Sequence, residues 1–370
     1  MRIVFVNSCR YLGGAEWWQL RAAAALRARG HEPWLLAREG PLRSRAVAAG
    51  FAGPALTLSF DLDLYAAFRA FRFFRDLRPD LVLLNDQREC RLVAPAAAAA
   101  GIRARVQRKG WPFLKGSWRD KLVYGRAVTH LIAVSEEVAA IFRARSGLAP
   151  ERIQVLPNGV EVERFAPRDQ MEARRNLGLP PAAPIVGSAG RLVSQKNFDL
   201  LLAAAARLPE TTVVALAGAG EERERLQARA AELGLGSRLL LLGQVEDMPG
   251  FLAALDVFAF PSRQEGRSNA LLEAMASGLP VIAGDIPGNR EMIAAGRTGL
   301  LFPPGDAAAL AAAIGRLLGN REQARALGEA ARSFAVEHFS AERMWDELES
   351  RLQAIVDETR GSDDGPDRFS

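Results

Sequence analysis

Short apolar runs alternate with stretches of helical periodicity over nearly the whole chain, and that alternation leaves few folds open. Ile3–Val6, Trp34–Ala37, Leu81–Leu84, Ala104–Gln107, Leu131–Val134 and Ile153–Leu156 read as strands, with helices expected near Ala15–Arg29, Leu62–Leu77, Arg88–Ala100 and Glu136–Arg145. A second series runs through Ile185–Ser188, Val213–Ala217, Leu239–Leu242, Val257–Phe260, Val281–Ala283 and Leu300–Phe302. Strands separated by helices pair in parallel and are covered on both faces. A chain of 370 residues, 49% of them apolar, exceeds one ordinary core, so two α/β domains are expected. Pro157, Pro167, Pro180, Pro181 and Pro184 punctuate the passage between the series and set the boundary after Phe165, giving domains 1–165 and 166–338. Helices Ala307–Leu318, Glu322–His338 and Ala341–Val356 close the chain; 339–357 is a separate C-terminal helical segment and 358–370 a polar tail expected to be disordered.

Composition removes several classes. No run approaches the ~18 apolar residues of a membrane span, and the opening MRIVFVNSCR has only four apolar residues in a row, which reads as a first strand and not a secretory signal. Two cysteines, Cys9 and Cys90, lack metal spacing and fit a reducing cytoplasm, while three scattered histidines make a His-based metal site a poor reading. Charge is unevenly shared: residues 1–165 hold 26 Lys and Arg against 15 Asp and Glu, the rest 22 against 28. A basic first half suggests an anionic partner there. Three of the four lysines (Lys109, Lys115, Lys121) fall in 103–126 beside Trp111, Phe113, Leu114, Trp118 and Leu122. That mixture suits peripheral contact with an anionic membrane, or a core-facing aromatic stripe under a solvated basic face; both readings stay open. Single-stranded nucleic acid uses the same residue types, but no nucleic-acid partner is assigned. On Leu62–Leu77, Leu64, Phe68, Phe71 and Phe74 read as the core stripe, with Arg69 and Arg72 outside it.

The densest chemistry lies in Pro261–Asp285, where a buried strand ends in a polar loop (Pro261–Ser268), a short helix follows with Asn269 as its N-cap, and a second buried strand begins. Ligands bind where sheets end in such loops. Free amides at Ser268 and Asn269 suit an anion. Glu265 lies in the loop with Gly266, and Glu273 sits one turn beyond Asn269 on the same face. Paired carboxylates suit vicinal sugar hydroxyls and the amides suit a phosphate, a combination that describes a nucleotide-sugar. Taken singly, Glu273 reads as a solvated helix residue and Glu265 as an ordinary loop acid; it is their neighbourhood that favours a site. After the first strand of the second series come Gly190 and Arg191, and Lys196 is read as opening the next helix; the two cations can meet one diphosphate. Gly218 and Val245 lie in later carboxyl-end turns that can pass backbone groups to a nucleotide base, although glycine in such turns needs no ligand. In the first series, Gly13, Gly14 and Glu16 follow the first strand, Asn85 the third and Lys109 the fourth, each in a carboxyl-end loop, and Asn158 closes the series. Glu16 could equally serve only the helix dipole.

These stretches resemble a known family. Glu265 to Glu273 resembles the E-x7-E signature of the retaining GT-B glycosyltransferases of the group-1 family, family 4, and Gly190-Arg191-Leu192 with Lys196 resembles the family's diphosphate clamp. Pro157-Asn158-Gly159-Val160-Glu161 with Phe165 resembles its P-N-G-V-D-x-x-x-F passage. The resemblance implies two Rossmann-like domains facing an interdomain cleft, an acceptor on the first and a nucleotide-sugar donor on the second. It further implies a last helix returning to the first domain, with Phe339 and Trp345 as contacts, and transfer with retention of configuration. In the family the first Glu contacts the donor sugar and the second the ribose; Gly13 and Gly14 fall where relatives place a GG pair near the donor phosphate. Arg191 and Lys196 would neutralise the leaving group, so no metal or other cofactor is expected. The sequence departs from the family where a His is common, carrying Lys109 or Gly110, and has Arg267 where an apolar residue often sits. The expectation is a cytoplasmic, membrane-peripheral glycosyltransferase acting on a glycan or glycolipid such as lipopolysaccharide. The alternatives are a non-catalytic nucleotide-sugar-binding scaffold of the same fold and a nucleotide-sugar hydrolase or epimerase.

Overall fold

The structure, a computed structural model, describes residues 1–10, 13–59 and 63–361. The expected tail overlaps residues 362–370, and the helix expected over Leu62–Leu77 began at Leu62; both positions lie outside the described residues. Two compact units divide the chain, Met1–Pro157 with the segment from Arg343 onward, and Asn158–Glu342.

The first unit is built on β1 (Arg2–Asn7), β2 (Glu32–Ala37), β3 (Leu81–Leu84), β4 (Ala104–Lys109), β5 (His130–Ala133) and β6 (Ile153–Val155). They pair in parallel in the order β2-β1-β3-β4-β5-β6. Connecting them are α1 (Gly14–Ala28), α2 (Pro41–Ala48), α3 (Leu64–Leu77), α4 (Gln87–Ala99), α5 (Trp118–Arg126) and α6 (Glu136–Arg145). Leu81, Val82, Leu83 and Leu84 are wholly buried, as expected of a central strand covered on both faces. Right-handed crossovers put α1 on one face and α3 to α6 on the other, and α3, α4 and α5 pack as neighbours.

The second unit repeats the plan with β7 (Ile185–Ala189), β8 (Val213–Ala217), β9 (Leu239–Gly243), β10 (Val257–Phe260), β11 (Val281–Gly284) and β12 (Leu300–Phe302), ordered β12-β11-β10-β7-β8-β9. Its helices are α7 (Gln170–Leu177), α8 (Phe198–Ala205), α9 (Arg223–Glu232), α10 (Met248–Ala253), α11 (Asn269–Ala276), α12 (Pro287–Arg290), α13 (Ala307–Gly319) and α14 (Arg321–Phe339). Finally α15 (Ala341–Gly361) runs past Val356, where the sequence reading ended that helix, so residues 358–361 of the tail expected to be disordered are helical.

The division at Pro157 precedes the boundary read after Phe165, and the reason is local. The Val160 amide donates to Phe339 O at 2.8 Å and the Val160 carbonyl accepts from Ala341 N at 2.8 Å, while Val160, Val162 and Phe165 bury in the second unit's core. Phe339 belongs to that same core, so it is no contact for the first domain; it packs edge-on to Phe334 at 5.6 Å. Trp345 lies in the first unit, 5.7 Å from Trp18 of α1. A third expectation fails on α3. Ala66, Ala70 and Phe74 form its buried stripe, whereas Leu64, Tyr65 and Phe68 are exposed, because small alanines let α3 sit close to its neighbours and turn the aromatics outward.

Candidate active site

In the second unit the chain leaves β7 in one direction along the sheet and later returns to place β10 on β7's other side, so the loops after β7 and β10 diverge at a topological switch point. Those two loops are stitched together. Arg263 N donates to Gln195 O at 3.0 Å, Arg263 Nη2 to Asn197 Oδ1 at 3.1 Å, and Asn197 Nδ2 to Pro261 O at 3.3 Å. Asn197 takes a left-handed conformation, φ 53°, closing the 3-10 turn Ser194–Lys196. Lys196 therefore lies in that turn and does not open α8, which begins at Phe198.

The stitching brings the key pair into contact. Lys196 Nζ donates to Glu265 Oε1 at 2.6 Å, with Gln195 Nε2 3.3 Å from the same oxygen and the ammonium 5.0 Å from the Phe260 ring centroid. Glu265 is buried, yet its Oε2 has no hydrogen-bond partner among the described residues and is not sealed from solvent. One oxygen is thus held by a cation and the other is left to accept from a hydroxyl. Arg191 is exposed, and its guanidinium has no partner among the described residues.

Backbone proximity explains the glycines. At Gly218 a Cβ would lie 1.8 Å from Gly190 O, at Gly190 a Cβ would meet Lys196 Cε at 3.1 Å, and both glycines have φ near 149°. A Cβ on Gly288 would strike Glu265 O at 2.4 Å and Gly266 O at 2.5 Å, so Gly288 lets the backbone pack closely behind the Glu265 loop. Val245 is half-buried against the unit's core.

Ser268, not Asn269, caps α11: its backbone is extended and its Oγ accepts from Leu271 N at 3.4 Å. Asn269 is the first helical residue, and its Oδ1 accepts from Asn158 Nδ2 at 2.8 Å while Arg267 O accepts from the same nitrogen at 3.1 Å. Asn158 lies in the second unit, where it fixes the start of α11 and does not close the first sheet. Glu273 follows one turn after Asn269, half-buried. Arg267 folds inward, donates to Glu291 at 2.8 Å and stacks 5.2 Å over Phe339. Burial lowers its pKa, and Glu291 opposes that shift.

The first unit has its own switch point between β1 and β3. Glu89, in the first turn of α4, is fully buried and ties the two loops there. Its Oε1 accepts from Ser8 N at 2.6 Å and Ser8 Oγ at 3.0 Å, its Oε2 from Asn85 N at 2.6 Å and Asp86 N at 3.0 Å. Burial pushes its pKa up to about 7 against the pull of those amides. Sequence reasoning missed Glu89; the only signal was its place three residues after the N-cap Asp86, where a glutamate normally does no more than close a capping box. Glu16 proves occupied as well. Its carboxylate accepts from Gly13 N at 2.9 Å and from Asn7 Nδ2 at 3.2 Å, so it organises the Gly13-Gly14 start of α1. Lys109 was expected in a loop but ends β4, paired with Ala133 and 9% exposed.

Among known proteins, a family model described as "Glycosyl transferases group 1" matches residues 169–334 and one described as "Glycosyltransferase Family 4" matches 12–164. The chain is 31% identical over 287 residues to GDP-mannose-dependent alpha-(1-6)-phosphatidylinositol monomannoside mannosyltransferase of Mycolicibacterium smegmatis, covering 72% of this chain and 73% of that protein. It is 37% identical over 173 residues to the lipopolysaccharide core biosynthesis glycosyltransferase LpsE of Rhizobium meliloti, covering 47% of this chain and 51% of that one, about half its length. In fold it is similar to Anabaena HepE, solved with UDP and glucose, at a TM-score of 0.85 and 22% identity over 96% of this chain and all of that one. WaaG, a glycosyltransferase involved in lipopolysaccharide biosynthesis, superposes at 0.72 with 18% identity over 95% of this chain and 99% of that one. Two parallel six-stranded units of GT-B type, matched along their length in this way, identify the chain as a member of the group-1, family-4 glycosyltransferases.

Proposed function

We propose that this glycosyltransferase takes its sugar from a nucleotide-sugar, retains the anomeric configuration without a metal, and delivers it to an envelope glycolipid, lipopolysaccharide or polysaccharide. The observation that carries the reading is the Lys196–Glu265 contact at the switch point, with one carboxylate oxygen left open and the start of α11 in the same loop. Departure of a nucleoside diphosphate places negative charge on the leaving oxygens. Lys196, the exposed Arg191 and the amides at the start of α11 supply positive charge for it. Glu265 Oε2 would hold a donor hydroxyl and Glu273 the ribose. Those cations can do the work a divalent ion does elsewhere, so chelation should leave turnover unchanged. Relatives named for phosphatidylinositol mannosides and lipopolysaccharide core support the acceptor class.

Contact with an anionic membrane is part of the proposal. Phe113, Trp118 and Leu122 are exposed around α5 together with Lys115, Arg119, Lys121 and Arg126, and no helix among the described residues is long and apolar enough to cross a bilayer. Such a surface would dock peripherally on the cytoplasmic leaflet.

The test is a thermal-shift panel of UDP-, GDP- and ADP-sugars, since a ligand at 100 times its dissociation constant stabilises by about 2.7 kcal/mol. Product analysis with a lipid acceptor follows. Stabilisation by one nucleotide class with diphosphate release only when acceptor is added supports transfer. Release without acceptor would point to a hydrolase, and stabilisation without release under either condition to a scaffold.

A further inference from the structure

The fully buried Glu89 carboxylate accepts four hydrogen bonds, from Ser8 N, Ser8 Oγ, Asn85 N and Asp86 N. Every partner is a donor, so the side chain must accept through both oxygens, which a carboxylate does and a carboxamide cannot. No cation pairs with it among the described residues. A capping box at the start of α4 accounts for the bond from Asp86 N alone. The other bonds join the loop after β1 to the loop after β3, the two that diverge at the first unit's switch point. Burying a carboxylate without a cation is unfavourable unless hydrogen bonds replace its water, so a helix needing only a cap would leave it outside.

The residues so held keep polar groups to spare. Asn85 is half-buried, its backbone amide is committed to Glu89, and its carboxamide has no partner among the described residues. Ser8 is also half-buried; its hydroxyl hydrogen goes to Glu89, which leaves the oxygen able to accept. On both sides of Ser8 the chain is pinned through Asn7, whose Oδ1 accepts from Cys9 N at 2.9 Å and whose Nδ2 donates to Gln19 Oε1 at 2.8 Å. One accepting and one donating group on adjacent loops suit a single hydroxyl, which gives its hydrogen to the first and takes one from the second. With the nucleotide-sugar at the second unit's switch point, the first unit's is left for the molecule that receives the sugar.

We propose that Glu89 is a positioning residue for the acceptor, holding Ser8 and Asn85 so that the Ser8 hydroxyl oxygen and the Asn85 carboxamide meet a hydroxyl of the acceptor glycan. This rests on the transferase reading above and deepens it, because it names the groups in the first unit that touch the acceptor. Glu89 itself touches no substrate and acts through Ser8 and Asn85.

The test uses the full chain with the nucleotide-sugar that stabilises it, and follows nucleoside diphosphate release stimulated by methyl α-mannoside, myo-inositol, phosphatidylinositol micelles or deacylated lipopolysaccharide core. Glu89→Gln keeps the shape but turns a donor toward donors on one side. Its KM for the stimulating acceptor should rise by about tenfold or more while the KM for the nucleotide-sugar stays put. Asn85→Ala, which keeps the backbone bond to Glu89, should raise the acceptor KM in the same way. Glu89→Gln added to Asn85→Ala should then cost less than the two effects multiplied, because the first acts partly through the second. Amide hydrogen exchange at Ser8 or Asn85 should also quicken in Glu89→Gln. Equal changes in both KM values, multiplicative effects in the double variant, or exchange like the wild type would each overturn the positioning role. Should Glu89→Gln fail to fold, Asn85→Ala and Ser8→Ala decide: an unchanged acceptor KM in both overturns the proposal, and a rise confined to the acceptor supports it. Absence of stimulation by every acceptor in the wild type would instead overturn the transferase reading.

Discussion

Glu265 shows how one residue can be both held and available. Its Oε1 is fixed by Lys196 at 2.6 Å while Oε2 stays open, so changing it to Gln keeps the shape but removes the charge that orders Lys196. Turnover should fall by about 100-fold or more, while calorimetric affinity for the nucleoside diphosphate changes little; unaffected turnover would remove Glu265 from the chemistry. Arg191→Ala should act in the opposite sense, weakening diphosphate binding because the exposed guanidinium has no structural duty to lose. Glu89 offers a pH prediction. Its folded pKa of about 7 lies above the ordinary 4.5, so its contribution is fully present below about 4.5, where folded and unfolded chains are both protonated, and is lost as pH rises through about 7. The span corresponds to about 3 kcal/mol. Denaturant titrations of Glu89→Gln at pH 5 and pH 8 should show a smaller difference in stability than the wild type; an unchanged difference would mean that the amides outweigh burial.

At the scale of elements, short β-rich apolar runs bounded by turn residues and separated by helical periodicity made the twelve strands of the described residues legible. Caps and faces were less legible. Ser268 and Asn269 are both good N-caps, and only the Asn158 hydrogen bond, from a residue more than a hundred positions away, commits Asn269 to the helix. On α3 the spacing of Leu64, Phe68, Phe71 and Phe74 is that of a core stripe, but which face is buried depends on what α4 presents, and here Ala66 and Ala70 give the closer approach. Lys109 looked like a loop residue because lysine seldom ends buried inside a sheet. The loops predict a steric outcome. Gly218→Ala would force its Cβ onto Gly190 O and displace the Gly190–Lys196 loop, so nucleoside diphosphate affinity should drop by about tenfold or more. Ser268→Ala, which removes only a cap, should cost about 1 kcal/mol of stability. If calorimetry finds the glycine variant binding like wild type, that loop does not hold the diphosphate.

For the whole molecule, the decisive feature is that α15, the last helix among the described residues, belongs from Arg343 onward to the first unit. Trp345, Leu348, Leu352, Ile355 and Val356 recur on the buried face of α15. Around them Arg29 bonds Asp346 at 2.6 Å, His31 bonds Glu349 at 2.8 Å and His130 bonds Glu358 at 3.1 Å, every partner being a first-unit residue. Leu348 and Leu352 are wholly buried, so replacing either with Ala should cost about 2–5 kcal/mol. Because no tryptophan lies in Asn158–Glu342, that loss should appear as an earlier midpoint in tryptophan fluorescence during urea unfolding. Far-ultraviolet dichroism, which reads helices of both units, should lag behind, and the donor nucleotide should shift only the later part of that transition if it binds the second unit. Coincident fluorescence and dichroism curves in Leu348→Ala would show that the two units unfold as one, and an unmoved fluorescence midpoint would show that α15 contributes little to the unit it completes.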